Sequence, residues 1–217
     1  MDIIVRDIET RSTIDLADVG PAIYAAHPTT EILCLGYCID EGPVKLWHPG
    51  DPIPRPYRRS NGATWIAHNV AFEMEIERSI LAPRYGFIVP PLERNLCTMA
   101  MANALALPAA LAKLAVALNL TQQKDAVGAR IMHQMTKPRR ARKTEDPEQV
   151  YYYNDAERRE LLDRYCIQDV EATREVAYAL PWLSDEERAI WCLDQRINSG
   201  GFCIDLQLAE AARRIAD

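Results

Sequence analysis

Two carboxylates one residue apart, Asp7 and Glu9, close an apolar run near the start of the chain, Asp2-Ile3-Ile4-Val5-Arg6-Asp7-Ile8-Glu9-Thr10. If residues 3–9 form a strand, side chains two apart share a face, and the two acids project together with Cα atoms roughly 6.6 Å apart. Ile4 and Ile8, on the opposite parity, require a covered core face, which leaves Asp7 and Glu9 where an open metal site could form. An isolated Asp-x-Glu is a short pattern, and on its own a solvated strand end explains it better. Further ligands must come from elsewhere. His68-Asn69-Val70-Ala71-Phe72-Glu73 crosses a strand-to-helix junction, with Glu73 about one turn into the helix and Phe72 beside it. Tyr165-Cys166-Ile167-Gln168-Asp169 lies inside a long helical pattern, so Tyr165 and Asp169 set a phenol and a carboxylate on one face, one turn apart. Each has a plainer reading when taken singly: Glu73 as a surface acid beside Glu75 and Glu77, Asp169 as a partner of Arg164 or Arg174.

The elements that must position these residues come as strands first and helices later. Residues 13–26, with Gly20-Pro21 at their centre, read as a loop with a short helix. Residues 31–40 and 44–48 read as strands around the turn Glu41-Gly42-Pro43, so that three early strands form an antiparallel meander. Residues 49–61 hold four of the fourteen prolines together with Arg55, Arg58 and Arg59, and are expected at the surface with some helix at most. Residues 63–68 form a fourth strand, and Asn69 opens a helix running to about residue 81. Beyond Pro90-Pro91, helices are predicted over residues 95–107, 109–118 and 124–135. Residues 137–143 (KPRRARK) carry five basic side chains and are expected to form a mobile loop, either a solvated linker or a phosphate-binding segment. Asn154 or Asp155 caps a long helix that Pro181 stops near residue 180. Ser184 with the acids behind it starts another, ended by Gly200-Gly201. Residues 202–204 resemble a short strand, and Asp205 caps a last helix whose pattern fits a chain continuing into a further domain.

Composition narrows the function classes. A chain of 217 residues, 48% hydrophobic and 26% charged, fits one soluble domain or one with an appendage. Its net charge of -6 argues against general attraction to nucleic acid, so any such binding needs a local patch. Six cysteines are scattered without a disulfide-like framework and no signal peptide precedes them, which implies free thiols in a reducing cytoplasm. Cys34 and Cys38 share a strand face, but no second Cys/His pair stands at zinc-finger spacing, so zinc is not expected. Residues 99–120 are rich in Ala and Leu, yet Asn103, Pro108 and Lys113 interrupt them, giving two packed helices and no membrane span.

Taken together, Asp-x-Glu on the first strand, Asn-x-x-Phe-Glu entering a helix and Tyr-x-x-x-Asp late in the chain resemble the three motifs of the DEDDy class of 3′-to-5′ exonucleases. The likeness is closest to the proofreading exonuclease domain of family A DNA polymerases of the phage or prophage type. Residues 6–12 (RDIETRS), Leu107-Pro108-Ala109, Gln123-Lys124-Asp125, Arg130-Ile131-Met132 and Lys137-Pro138-Arg139 resemble the same subgroup. Asp194-Gln195-Arg196-Ile197-Asn198 with residues 201–205 resembles the lead-in to a polymerase domain. The departure is Glu73, where the wider class has aspartate; one extra methylene can shift metal spacing or occupancy, and reduced activity with magnesium is the expectation.

The resemblance implies a ribonuclease H-like α/β fold: a mixed five-stranded sheet flanked by helices, with the acids at one edge of the sheet. It implies an exonuclease domain over residues 1–181 and a helical lead-in over residues 182–217. The implied activity is two-metal hydrolysis at single-stranded DNA 3′ ends, releasing nucleoside 5′-monophosphates, with proofreading for an attached polymerase. Two Mg2+ or Mn2+ ions would activate the attacking water and stabilise the leaving 3′ oxygen. Asp7 would bridge both ions, Glu9 and Asp169 would hold the nucleophile-side ion, and Glu73 would support the other. Tyr165 would orient the attacking water, since a phenol with an ordinary pKa near 10 is a poor general base. Thr10, through its backbone or hydroxyl, would meet the terminal 3′-OH, and Asn69 and Phe72 would meet the terminal nucleotides, with packing roles as the alternative for those two. The implied partners are a single-stranded DNA 3′ end and a polymerase domain in cis or a replication partner, in a monomer in the cytoplasm of a bacterial or phage-infected cell. Two other readings stay open: a catalytically weakened single-strand-binding module, and a ribonuclease of the same superfamily.

Overall fold

A five-stranded mixed sheet carries the fold, in the order β3-β2-β1-β4-β5. The computed structural model describes residues 2–59, 62–121 and 126–216. The chain divides into two compact units, Met1–Leu183 and Ser184–Asp217. In the first unit β1 (Ile3–Arg11), rich in β-branched residues, pairs antiparallel with β2 (Glu31–Ile39), which pairs antiparallel with β3 (Lys45–Trp47). The predicted meander is present. On its other side β1 runs parallel to β4 (Thr64–Ala67), and β4 parallel to β5 (Asn95–Cys97). This is the expected α/β architecture, a mixed five-stranded sheet flanked by helices, consistent with a ribonuclease H-like fold. Asp7 stands at the middle of the central strand and Glu9 two residues nearer its C-terminal end, not at the sheet's edge as the resemblance implied.

Side-chain parity along β1 sorts the two faces. Ile4 and Ile8 pack with Tyr24, Trp65, Ile76 and Ile80 on one. Val5 packs with Cys38, Ile66, Leu96, Val170 and Ala177 on the other. Asp7 and Glu9 share the parity of Val5, so they stand on the face covered by α7 (Ala156–Ala179). The α7 helix opens on Asp155, whose carboxylate accepts the Arg158 N–H at 3.1 Å, and ends at Leu180 before Pro181. The close approach of α7 needs Gly36, which lies opposite Asp7 in the β1–β2 register. A Cβ there would stand 2.8 Å from Cys166 Sγ and 2.9 Å from Val170 Cγ2.

The remaining helices of this unit are α1 (Leu16–Ala26), α2 (Val70–Ile76), α3 (Ala82–Tyr85), α4 (Thr98–Ala104), α5 (Leu111–Ala117) and α6 (Ala126–Thr136). Gly20, at φ 76, kinks α1, while Asp15 caps it. A π-helical turn, Glu77–Leu81, joins α2 to α3, so the helix predicted from Asn69 runs on past residue 81. Three expectations change. Residues 95–97 form strand β5, because pairing with β4 outweighs the helical pattern that follows them. Within residues 49–61 Tyr57 is fully buried, against Trp65 and Phe87. Residues 137–143, expected as a loop, lead into a hairpin closed by an Arg139–Tyr151 bridge. Lys124 and Asp125, at the predicted start of α6, lie outside the described residues, as do Asn61 and Asp217.

The second unit holds α8 (Asp185–Gly200), opened by a reciprocal capping box between Ser184 and Glu187, and α9 (Leu206–Ala216), whose first turn is capped by Asp205 at 3.0 Å from Leu208 N. Residues 202–204 are irregular chain and not the predicted strand; Phe202 and Ile204 are exposed there. No helix among the described residues is long and apolar enough to cross a membrane.

Candidate active site

Strand parity and helical spacing bring three acids to one point. Carboxylate oxygens of Asp7, Glu9 and Asp169 all lie within 4.8 Å of one another. Asp7 and Glu9 arrive from β1 and Asp169 from α7, one turn after Tyr165. Cys166, between them on the helix, lies with Sγ 3.8 Å from Asp7 Oδ2. Its thiol is pushed well up by a hydrogen bond with Cys34 and by burial.

These acids line a cavity of about 610 Å³ that also contains Thr10, His68, Asn69, Phe72, Glu73 and Tyr165. Every residue nominated from the sequence therefore borders one space. Glu73 is buried and is not a surface acid, and its Oε2 has no hydrogen-bond partner. Burial and then the nearby charge of Asp7 push its carboxyl well above the usual range, with Arg6 opposing. Glu73 stands outside the three-acid cluster. Its orphaned oxygen in a cavity floored by carboxylates is the environment a divalent cation satisfies, and all four donors are hard oxygens suited to Mg2+ or Mn2+.

Tyr165 is buried, and its phenol is pushed up by desolvation, then by the charges of Asp169 and Glu9. It stays protonated through neutral pH and can donate a hydrogen bond but not accept a proton as a base. The Thr10 hydroxyl is 3.0 Å from Tyr24 Oη, so its side chain is engaged within the wall of the cavity and its backbone is the part left to meet a ligand. Phe72 packs beside Tyr24 with ring centroids 6.3 Å apart and remains half-buried at the cavity surface.

Supporting residues were not legible from spacing. Arg6, on the opposite parity from Asp7, is fully buried with Nε 2.7 Å from Glu77 Oε1 and an Nη2–H donated to Asn95 Oδ1 at 2.8 Å. Its guanidinium also lies 5.4 Å from the Trp65 ring centroid. This pair fixes β1 against the turn that follows α2, the helix bearing Glu73. Arg6 among isoleucines and Glu77 one turn after Glu73 were the available signals. His68 bridges Thr98 Oγ1 at 2.9 Å and the Ala109 carbonyl at 2.7 Å, tying the start of α5 to the sheet. Leu111 and Met132, from α5 and α6, complete an apolar wall.

No protein-family model matches the chain. The chain is 32% identical over 216 residues to a DNA polymerase of Bacillus phage SP02, an alignment covering 95% of this chain and 32% of that protein. The chain therefore spans about a third of the length of the curated relative it matches and is related to that part of a phage DNA polymerase.

Proposed function

We propose that this chain is a metal-dependent 3′-to-5′ exonuclease that removes nucleoside 5′-monophosphates from single-stranded DNA ends, serving a DNA polymerase as its proofreading part. The observation that carries this reading is the convergence of Asp7, Glu9 and Asp169 within 4.8 Å. They line one cavity with Glu73 and Tyr165. The polymerase relationship of the chain supports the substrate class.

A phosphodiester is polyanionic, and bare carboxylates repel it. Asp7, Glu9, Asp169 and Glu73 would hold two divalent cations, Mg2+ or Mn2+, which when bound supply the positive charge that activates water and stabilises the leaving 3′ oxygen. Tyr165, held protonated with its O–H given to Asp169, would orient the attacking water through its hydroxyl oxygen. Phe72 offers a ring face to a terminal base, and Asn69 a polar edge. Thr10 contributes backbone at the cavity floor, its hydroxyl being committed to Tyr24. The wall made by Leu111 and Met132 excludes water from one side of a strand drawn into the cavity.

Incubating a 5′-labelled single-stranded oligonucleotide with Mn2+, Mg2+ or chelator tests the proposal. Stepwise shortening with either cation and none with chelator is expected; an intact oligonucleotide after long incubation with Mn2+ overturns it. A second reading, a single-strand-binding module with little turnover, draws on the position of Glu73 outside the three-acid cluster. Saturable binding without shortening is its signature.

A further inference from the structure

We infer that the hairpin over residues 139–151 is a guide for the phosphate backbone of the strand entering the cavity, an inference that rests on the nuclease reading above. In a chain of net charge -6, five basic residues fall within residues 137–143. Two of them are engaged locally. Lys137 Nζ lies 2.5 Å from Asp15 Oδ2, and both residues line the cavity. The Arg139 guanidinium donates to both Glu145 oxygens, at 2.6 and 2.7 Å, and sits over the rings of Tyr151 and Tyr153. Its backbone N–H donates to the Tyr151 carbonyl at 2.8 Å, closing the hairpin. The Arg142 N–H donates to Glu145 at 2.7 Å, holding the tip in a turn.

What this pairing leaves is an ordered, cationic tip. Arg140, Arg142 and Lys143 are exposed, and among the described residues none of the three makes a salt bridge. The acids Asp146 and Glu148 follow on the return limb, where the Asp146 carboxylate accepts the Glu148 N–H at 2.9 Å. Charge is thus divided between the two limbs.

The base of the hairpin is anchored at the end of the strand that carries the acids. Ser12 N–H donates to the Thr136 carbonyl at 3.2 Å, just before the outgoing limb. The Arg11 guanidinium lies 4.6 Å from the ring centroid of Tyr152, on the returning limb. Arg11 and Ser12 follow Glu9 and Thr10 directly. The hairpin therefore begins two residues after Lys137, the last residue before it to line the cavity, with Lys143 no more than roughly 20 Å of chain from Lys137. Exposed cations on a preformed turn suit sequence-independent contacts to sugar-phosphate backbone, a few nucleotides behind the terminal one.

The test is a steady-state comparison of the full chain with the triple variant Arg140→Ala, Arg142→Ala and Lys143→Ala, on a trinucleotide and a 15-mer, across a salt series with Mn2+. The variant is expected to lose at least about tenfold in kcat/KM on the 15-mer, through KM, and less than about twofold on the trinucleotide. The slope of log kcat/KM against log salt for the 15-mer should become shallower by roughly 2, three phosphate contacts in a single strand. Equal losses on both substrates, or an unchanged salt slope, overturn the guide while leaving the nuclease reading intact. If the wild type turned over neither substrate, the nuclease reading would fall instead. Anisotropy of a labelled 15-mer then decides the guide alone: weakened binding by the variant supports it, and equal binding overturns it.

Discussion

Asp7, Glu9 and Asp169 bring three carboxylates within 4.8 Å of one another, an arrangement that a bound cation would stabilise. Asp7→Asn removes one of those charges with little change in volume. The variant should melt a few degrees higher than the wild type without metal, about 1 kcal/mol. Added Mn2+, which should raise the wild-type melting temperature, should move the variant little. Scanning calorimetry at neutral pH with and without Mn2+ checks both, and a metal-independent melt for the wild type would remove the ligand role of the three acids. Glu145 offers a separate titration. Hydrogen bonds from Arg139 and from the Arg142 N–H lower its carboxyl from 4.5 to about 2. Because the folded value is depressed, the stabilisation of the hairpin is complete above the ordinary value near 4.5 and is lost as pH falls through about 2. An NMR titration of the Glu145 carboxyl should show a midpoint near 2, moving back toward 4.5 in Arg139→Ala.

At the scale of elements, the site depends on how closely α7 approaches β1 and β2. Gly36→Val places a side chain where a Cβ already meets Cys166 Sγ at 2.8 Å and Val170 Cγ2 at 2.9 Å. Overpacking of this kind costs about 1–3 kcal/mol, and it should displace Asp169 from the two acids on β1. Thermal melts and nuclease rates should both fall, and adding Cys166→Ala should recover part of the stability, as a double-mutant cycle would register. The Arg6–Glu77 pair carries the complementary prediction. Arg6→Met leaves Glu77 buried without its partner and should cost about 3–5 kcal/mol, whereas Arg6→Met with Glu77→Leu should recover most of it, read by urea denaturation.

The whole molecule shows which kinds of information a sequence carries. Asp7 and Glu9 on one face, the capped α7 helix bearing Tyr165 and Asp169, and the antiparallel order of β1 to β3 follow from period, caps and turns, and these were legible. Strand β5 was not, since three residues become a strand only through pairing with β4. The buried Arg6, Glu77 and Asn95 cluster was hidden because each residue ordinarily sits at a surface, and only the fold brings positions 6, 77 and 95 together. The 139–151 hairpin was read as a plain loop because its closure depends on Glu145 and Tyr151, not on the basic run itself. Thr10 lines the cavity with the other residues nominated from the sequence, but its hydroxyl bond to Tyr24 was not legible.

If these converged acids cut DNA from the 3′ end, the terminal nucleotide leaves first. The most direct measurement follows a single-stranded oligonucleotide labelled in its 3′-terminal nucleotide, with Mn2+, for the wild type beside Asp7→Asn. The account predicts that the wild type releases the label first, as a nucleoside 5′-monophosphate, and that Asp7→Asn is slower by roughly a hundredfold or more. Label that stays on the oligonucleotide, or that leaves in internal fragments, would contradict it.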